Sequence, residues 1–333
     1  MSTQHKRRTV LQGLGVLAGL ATAGRWARPA SALAASPAGS ARPLVARARR
    51  PGVFDPSSGA LDGAKLDDLL GHAIAKATGD GTPVEAFGRL FRSSDVVGIK
   101  VGTLGGPGLS PKPELVQRLA RWLQDAGVRP GNIVIWDRTD NELAKAGFSL
   151  NRDRGQVRCF GTNQDYDWTP REWGAGASCF SKLLLDELTA LLSVGVLKDH
   201  DLAGISAGMK NWYGTIHNPN KHHANGCDPY VAQLAAYPLI RRKLRLTVVD
   251  GLVGQCHGGP ARSPRWAWPY NGVLVSTDAV AIDAVAWREI ETRRRELGLK
   301  SLAEDKREPK WIASAGRLGL GESNIERIEV SDV

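Results

Sequence analysis

The spacing of apolar positions changes several times along the chain, and each change predicts an element. Residues 61–78 place Leu66, Leu69, Leu70 and Ile74 three or four apart, the one-sided stripe of an amphipathic helix. Val96-Val97-Gly98-Ile99-Lys100-Val101 is a continuous apolar run closed by turn residues, which predicts a buried strand. A glycine-rich loop follows over 102–108. Helical spacing then returns over 111–126, with Leu115, Leu119, Trp122 and Leu123 on one face and Gly127 as the C-terminal stop. Ile133-Val134-Ile135-Trp136-Asp137 reads as the next strand. Further strands are expected over 188–197, 244–250, 272–276 and 325–330, and helices over 279–296 and 310–318.

Strand, loop, helix and strand in that order make a parallel βαβ unit. The chain is therefore expected to be an α/β protein: a mostly parallel sheet with flanking helices, in a single large domain over 53–333 with loop insertions. Residues 151–180 are polar and aromatic and read as one such insertion, and 297–310 as a charged loop. Residues 35–52 are rich in Ala, Arg, Pro and Ser, and read as a linker.

The formal charge of +10 suggests a polyanion partner until it is mapped. Nine Lys and Arg residues and no acidic residue lie in the first fifty positions, so 35 basic residues face 34 acidic ones from Pro51 onward. The body is nearly neutral, and nucleic acid is not expected as a partner. Lys6-Arg7-Arg8-Thr9-Val10-Leu11-Gln12 has the form of a twin-arginine export signal. The apolar stretch after it runs from Gly13 to Ala23, short of the roughly 20 residues a membrane-spanning helix needs. Small residues at 30–34 offer cleavage sites. Residues 1–34 are thus expected to be a signal peptide that meets the twin-arginine translocase and sends a folded protein to the periplasm or outside. No stable membrane span is expected after cleavage.

Export to an oxidising compartment permits disulfides. Four cysteines are present, and either Cys159–Cys179 or Cys227–Cys256 is a possible pair. None lies in a Cys-x-x-Cys motif, so no ferredoxin-type iron–sulfur cluster is expected. Five of the seven histidines lie between His200 and His257. Imidazole and thiolate suit zinc, nickel or iron, and His222, His223, Cys227, Cys256 and His257 form a candidate metal set. The same histidines equally suit acid–base or anion-binding work, and no substrate or cofactor is fixed by the sequence.

In open α/β sheets the loops at the carboxyl ends of strands build the site. Most of the expected strands end in Lys, His or Asp: Lys100, Asp137, Lys198 with His200, Asp250 and Asp278. Lys198, His200, Lys210, Asn211 and Asp250 are the candidate catalytic residues. Desolvated lysines would hold an anion or act as bases, and Asp250 would orient a histidine or bind metal. Lys100, Gly105, Gly106 and Gly259 are candidate substrate-binding positions, the glycines because bare backbone amides can cradle an anion. Trp266 and Trp268 either line a sugar-binding cleft or pack a loop.

In order and spacing, Val97-Gly98-Ile99-Lys100-Val101, Leu197-Lys198-Asp199-His200, Met209-Lys210-Asn211-Trp212-Tyr213-Gly214, the histidine at 222 or 223, Val249-Asp250-Gly251, Gly258-Gly259-Pro260, Ser276 to Asp283 and Gly319-Leu320-Gly321 resemble the DUF362 family, a domain of unknown function, with Lys-Asn-x-x-Gly and Asp-x-Val-Ala-x-Asp the most specific elements. The resemblance runs from about residue 90 to 330 and implies the fold more than the activity. Members with ferredoxin modules carry cysteines that this chain lacks. The Lys-x-His element is also loosely similar to nickel-pincer lactate racemase, which implies proton or hydride transfer on a hydroxy acid or sugar acid. The leading expectation is an exported enzyme for a small anionic substrate, with or without a metal. A non-catalytic periplasmic metal- or ligand-binding protein and an accessory of a redox complex are the alternatives.

Overall fold

The structure, a computed structural model, describes residues 42–333. The export signal read at 1–34 lies outside the described residues. In chain order the elements are β1 (Leu44–Arg49), α1 (Gly63–Thr78), α2 (Pro83–Leu90), β2 (Val97–Val101), α3 (Pro113–Asp125), β3 (Ile133–Asp137), α4 (Asp140–Lys145), β4 (Arg158–Gly161), β5 (Tyr166–Trp173), β6 (Gly176–Ser181), β7 (Ala190–His200) and β8 (Gly204–Ser206). They continue with α5 (Tyr230–Ala235), α6 (Pro238–Arg241), β9 (Leu244–Gln255), β10 (Ala267–Trp268), β11 (Gly272–Ser276), α7 (Ala279–Glu296), α8 (Trp311–Arg317) and β12 (Glu329–Asp332).

Ten strands form one sheet along the path β12-β1-β11-β9-β7-β2-β3-β4, with β8 added to β7 and β10 to β9. Five of the seven neighbouring pairs on that path are parallel; only β11 runs against its neighbours β1 and β9. The expected α/β class with a mostly parallel sheet is what the chain adopts. Both faces are covered, as a parallel sheet requires. Val97, Ile99, Ile133, Ile135, Leu192, Val194, Leu246 and Val248 pack with α1, α2 and α3 on one face. Val134, Trp136, Leu191, Leu197 and Val249 pack with α7 and α8 on the other.

Helix ends follow the local chemistry. Asp62 caps α1 by accepting from the Lys65 amide, Thr82 caps α2 through Glu85, and Gly79 closes α1 at φ +75°. Among the described residues no helix is long and apolar enough to cross a membrane.

Three expectations are corrected. The stretch 35–52, read as a linker, contains β1, which lies inside the sheet between β12 and β11. Its Leu-Val-Ala-Arg-Ala-Arg sequence alternates: Ala46 and Ala48 are buried toward α1, and the arginines between them are paired. Arg47 bonds Glu289 and Asp332, and Arg49 lies 4.5 Å over the Tyr270 ring. Residues 151–180, read as inserted loop, contain β4, the last strand of the sheet, and the separate β5–β6 hairpin. The four thiols, offered above as disulfide partners, are all free.

If residue 46 belonged to a linker, Ala46→Asp would change stability by less than about 0.5 kcal/mol. In a buried strand it places an unpaired carboxylate against α1, and we expect a loss of about 3 kcal/mol or more, read from the urea midpoint.

Candidate functional site

Because β4, β3, β2, β7 and β9 run the same way, their carboxyl ends share one edge of the sheet. The loops there enclose a cleft of about 320 Å³, within the range of small-ligand sites. Lys100, Asp137, Lys198, His200, Lys210, Asn211 and His223 line it, with the Gly102–Leu104 stretch on one side.

Its foundation is a fully bonded knot. The Lys100 ammonium donates to Asp137 Oδ1 at 2.6 Å, Asn211 Oδ1 at 3.1 Å and the Val101 carbonyl at 2.8 Å. The other Asp137 oxygen accepts from the Thr103 amide and hydroxyl. Burial alone would raise the Asp137 pKa, but the charge and hydrogen bond of Lys100 and the bonds from Thr103 outweigh it and hold the carboxyl below its ordinary value. The Asn211 amide nitrogen donates to the Lys100 carbonyl and Ser193 Oγ. Gly214 crosses over this knot; a Cβ there would lie 2.6 Å from Lys100 Nζ, so only glycine fits. Lys100 and Asn211 therefore use their polar atoms on the scaffold and have few left for a ligand.

The other two lysines differ. Lys198 is 4% exposed, and its ammonium meets only the Leu109 carbonyl, at 3.3 Å. Lys210 is 6% exposed and lies 3.9 Å above the Tyr213 ring, with His223 Nε2 at 3.0 Å. Among the described residues neither ammonium is bonded to a carboxylate. Desolvation pushes both down to about 8.

His200 and His223 stack at 5.5 Å beside them. Burial, then the neighbouring cations, lowers both imidazoles and keeps them neutral. His223 Nδ1 faces only the Pro219 and Asn220 carbonyls, so it carries the ring proton and leaves the Nε2 lone pair toward Lys210. His200 Nδ1 sits among the Leu202 and Ala203 amides and Asp201 Oδ1, which fixes the ring.

A residue that sequence reasoning undervalued holds this segment in place. Asp283, fully buried on α7, accepts from the Gly208 and Met209 amides at the start of the 3₁₀ segment Met209–Thr215 that carries Lys210 and Asn211. Burial pushes Asp283 up to about 7. Asp278, five residues earlier, caps α7 through the Val280 and Ala281 amides. The spacing Asp-x-Val-Ala-x-Asp was the signal for this pair. Thr103 and Tyr213 were missed; a lone hydroxyl in a loop carries no periodicity to find it by.

Other expected site residues lie elsewhere. Asp250 shares the parity of Leu246 and Val248, so it points to the α1–α3 face and not into the cleft. There it accepts from the Lys112 amide before α3 and from Leu252. Asp278 lies at the end of β11, which runs antiparallel, and so falls at the opposite edge. Gly105 faces Lys198: a Cβ there would lie 2.2 Å from the Leu109 carbonyl and 2.8 Å from Lys198 Nζ. Gly106 opens to free space at φ +67°. Gly259 braces the end of β7 by donating to Asp199 Oδ1, and the next residue, Pro260, lines the cleft in its place.

The candidate metal set is scattered. His222 is buried against Trp173 and Tyr230, Cys227 lies buried behind Tyr213, and Cys256 Sγ points to the Trp266 carbonyl. His257 Nδ1 sits 3.3 Å from the guanidinium groups of both Arg294 and Arg307, which oppose a cation. Among the described residues no three His, Cys, Asp or Glu side chains are placed to hold a metal ion. Trp266 and Trp268 pack against His257 and Tyr270, outside the cleft.

The profile of the domain of unknown function DUF362 matches residues 81–288, well over half the chain. The chain belongs to the DUF362 family. The matched stretch contains every cleft residue named above, and Gly319-Leu320-Gly321 falls outside it. No curated protein matches the chain. A crystal structure of a Thermotoga maritima protein from a structural genomics consortium is similar at 11% identity and a TM-score of 0.46, over 71% of this chain and 59% of that one. The DUF362 chain thus spans less than two thirds of that neighbour.

The two kinds of lysine predict opposite effects. Lys100→Met leaves Asp137 charged and buried, and should cost about 3–5 kcal/mol of stability. Lys210→Met removes a buried cation that bonds no carboxylate among the described residues, and should change stability by less than about 1 kcal/mol or raise it. Urea unfolding of the two variants compares them directly.

Proposed function

We propose that this DUF362 protein is an enzyme that binds a small organic anion, a hydroxy acid or related acid, and moves a proton on it. The observation that carries this is the pair of buried ammonium groups, Lys198 and Lys210, which face one cleft with no carboxylate bonded to either. A buried cation without a partner is costly. A carboxylate ligand supplies the missing charge, in a dry site where the attraction is strong.

Beside the bound acid, His223 Nε2 presents a lone pair whose direction is fixed by the two carbonyls behind the ring. The bound carboxylate draws the Lys210 ammonium away from Nε2, which frees that lone pair; the α-carbon C–H bond then breaks and the proton forms an N–H bond at Nε2. The electron pair passes into the carboxylate as an enediolate, which the Lys198 ammonium stabilises. Return of the proton completes the exchange. The scattered donor set does not fit a metal, so no step uses one.

Protonated lysine attracts the anion, so affinity should be full below pH 8 and fall as pH rises through about 8, where the amines lose their charge. Proton NMR of lactate in D₂O with the protein should show α-proton exchange. Lys210→Met or His223→Ala should slow it at least about a hundredfold with the fold intact. Anion binding without exchange would make the protein a binder. No anion binding at any pH would remove the reading.

The twin-arginine form of Lys6 to Gln12 supports action beyond the cytoplasmic membrane. Residues 1–34 fused to a folded reporter should export it, and Arg7→Lys with Arg8→Lys should stop export. Undiminished export by that double variant would refute the route.

A further inference from the structure

We infer that the ligand of this cleft is amphiphilic: an acid group joined to an apolar portion of several carbons, which leaves the site between Leu104 and Leu202. The inference rests on the anion-binding reading above and specifies its substrate class. Among the described residues seven large hydrophobic side chains are exposed, and the three most exposed are Leu104 at 57%, Trp168 at 56% and Leu202 at 51%. Two of these three line the same cleft.

The two leucines reach it from separate parts of the chain. Leu104 is on the glycine loop that follows β2, and Leu202 is on the turn between β7 and β8. A single exposed leucine needs no explanation. Two that converge on a pocket whose floor carries two unpaired ammonium groups make an apolar rim over a cationic base. Val196, Ala207, Pro219 and Pro260 continue the apolar lining between them.

A small hydrophilic anion would satisfy the lysines and leave both leucines wet. A sugar acid would place hydroxyls against carbon. An acid with an apolar chain pairs its carboxylate at the base and covers the rim, gaining about threefold to fourfold in affinity for each methylene buried. Within hydroxy acids, the cleft therefore favours those with an apolar side chain.

Calorimetry with the full chain tests this, using lactate, 2-hydroxybutyrate, 2-hydroxyhexanoate and 2-hydroxyoctanoate, with gluconate as the hydrophilic comparator. Affinity should rise about threefold or more per methylene along the series, with gluconate weaker than 2-hydroxyhexanoate. Leu104→Ser with Leu202→Ser alters two exposed positions and should flatten that slope. Lys210→Met should weaken every member together. Equal affinity for lactate and 2-hydroxyoctanoate, a tighter gluconate, or an unchanged slope in the double serine variant would overturn the inference and leave the anion site standing. If no member binds, and Lys210→Met makes no difference, the anion site itself falls and the inference with it.

Discussion

The bond between Lys100 and Asp137 is the constraint on which the rest of the cleft depends. It joins the ends of two adjacent strands, and each partner reaches out once more: Lys100 to Asn211 on the 3₁₀ segment, and Asp137 to Thr103 on the glycine loop. Three pieces of chain far apart in sequence, β2 with its glycine loop, the end of β3 and the 3₁₀ segment, are thereby held within hydrogen-bond reach of each other. A pair this deeply buried contributes modestly to net stability, because both ions lose their hydration, but it is unforgiving of any change to one partner. What it supplies is position. The glycine loop and the segment bearing Lys210 have few other reasons to approach each other so closely.

Against that satisfied pair, Lys198 and Lys210 stand out by what they lack. One lysine of the three spends its charge on the scaffold, and two keep theirs for the cleft. The neutral histidines follow from the same economy, since two more cations beside two ammonium groups would be strongly opposed. Asp283 completes the arrangement from beneath: it grips two backbone amides and so orients the segment.

Much of this was legible in the sequence, and the failures have definite causes. The central strands and the long helices were legible because their apolar periods are clean; α7 was bounded to the residue. Lys100, Lys198 and His200 converged because parallel strands share a direction. Asp278 failed for the complementary reason: nothing in the run Gly272 to Ser276 announces that β11 is reversed. Asp250 failed on parity, one residue deciding which face of the sheet it serves. β1 was hidden by its arginines, whose partners Glu289 and Asp332 lie hundreds of residues away. The histidine-and-cysteine cluster was dense in sequence yet dispersed in space, because Trp173 and Tyr230 claim His222 while two guanidinium groups claim His257.

The place of β1 bears on the order in which the molecule can assemble. Its neighbours β11 (Gly272–Ser276) and β12 (Glu329–Asp332) are synthesised long after β1 (Leu44–Arg49) itself. Until residue 272 has left the ribosome, this early strand has no edge to join, and its alternating alanines and arginines wait in water. Closing so long a loop is slow by comparison with pairing neighbours. Completion of the sheet therefore follows its other pairings: one flank stays open until β11 and β12 arrive to shut it.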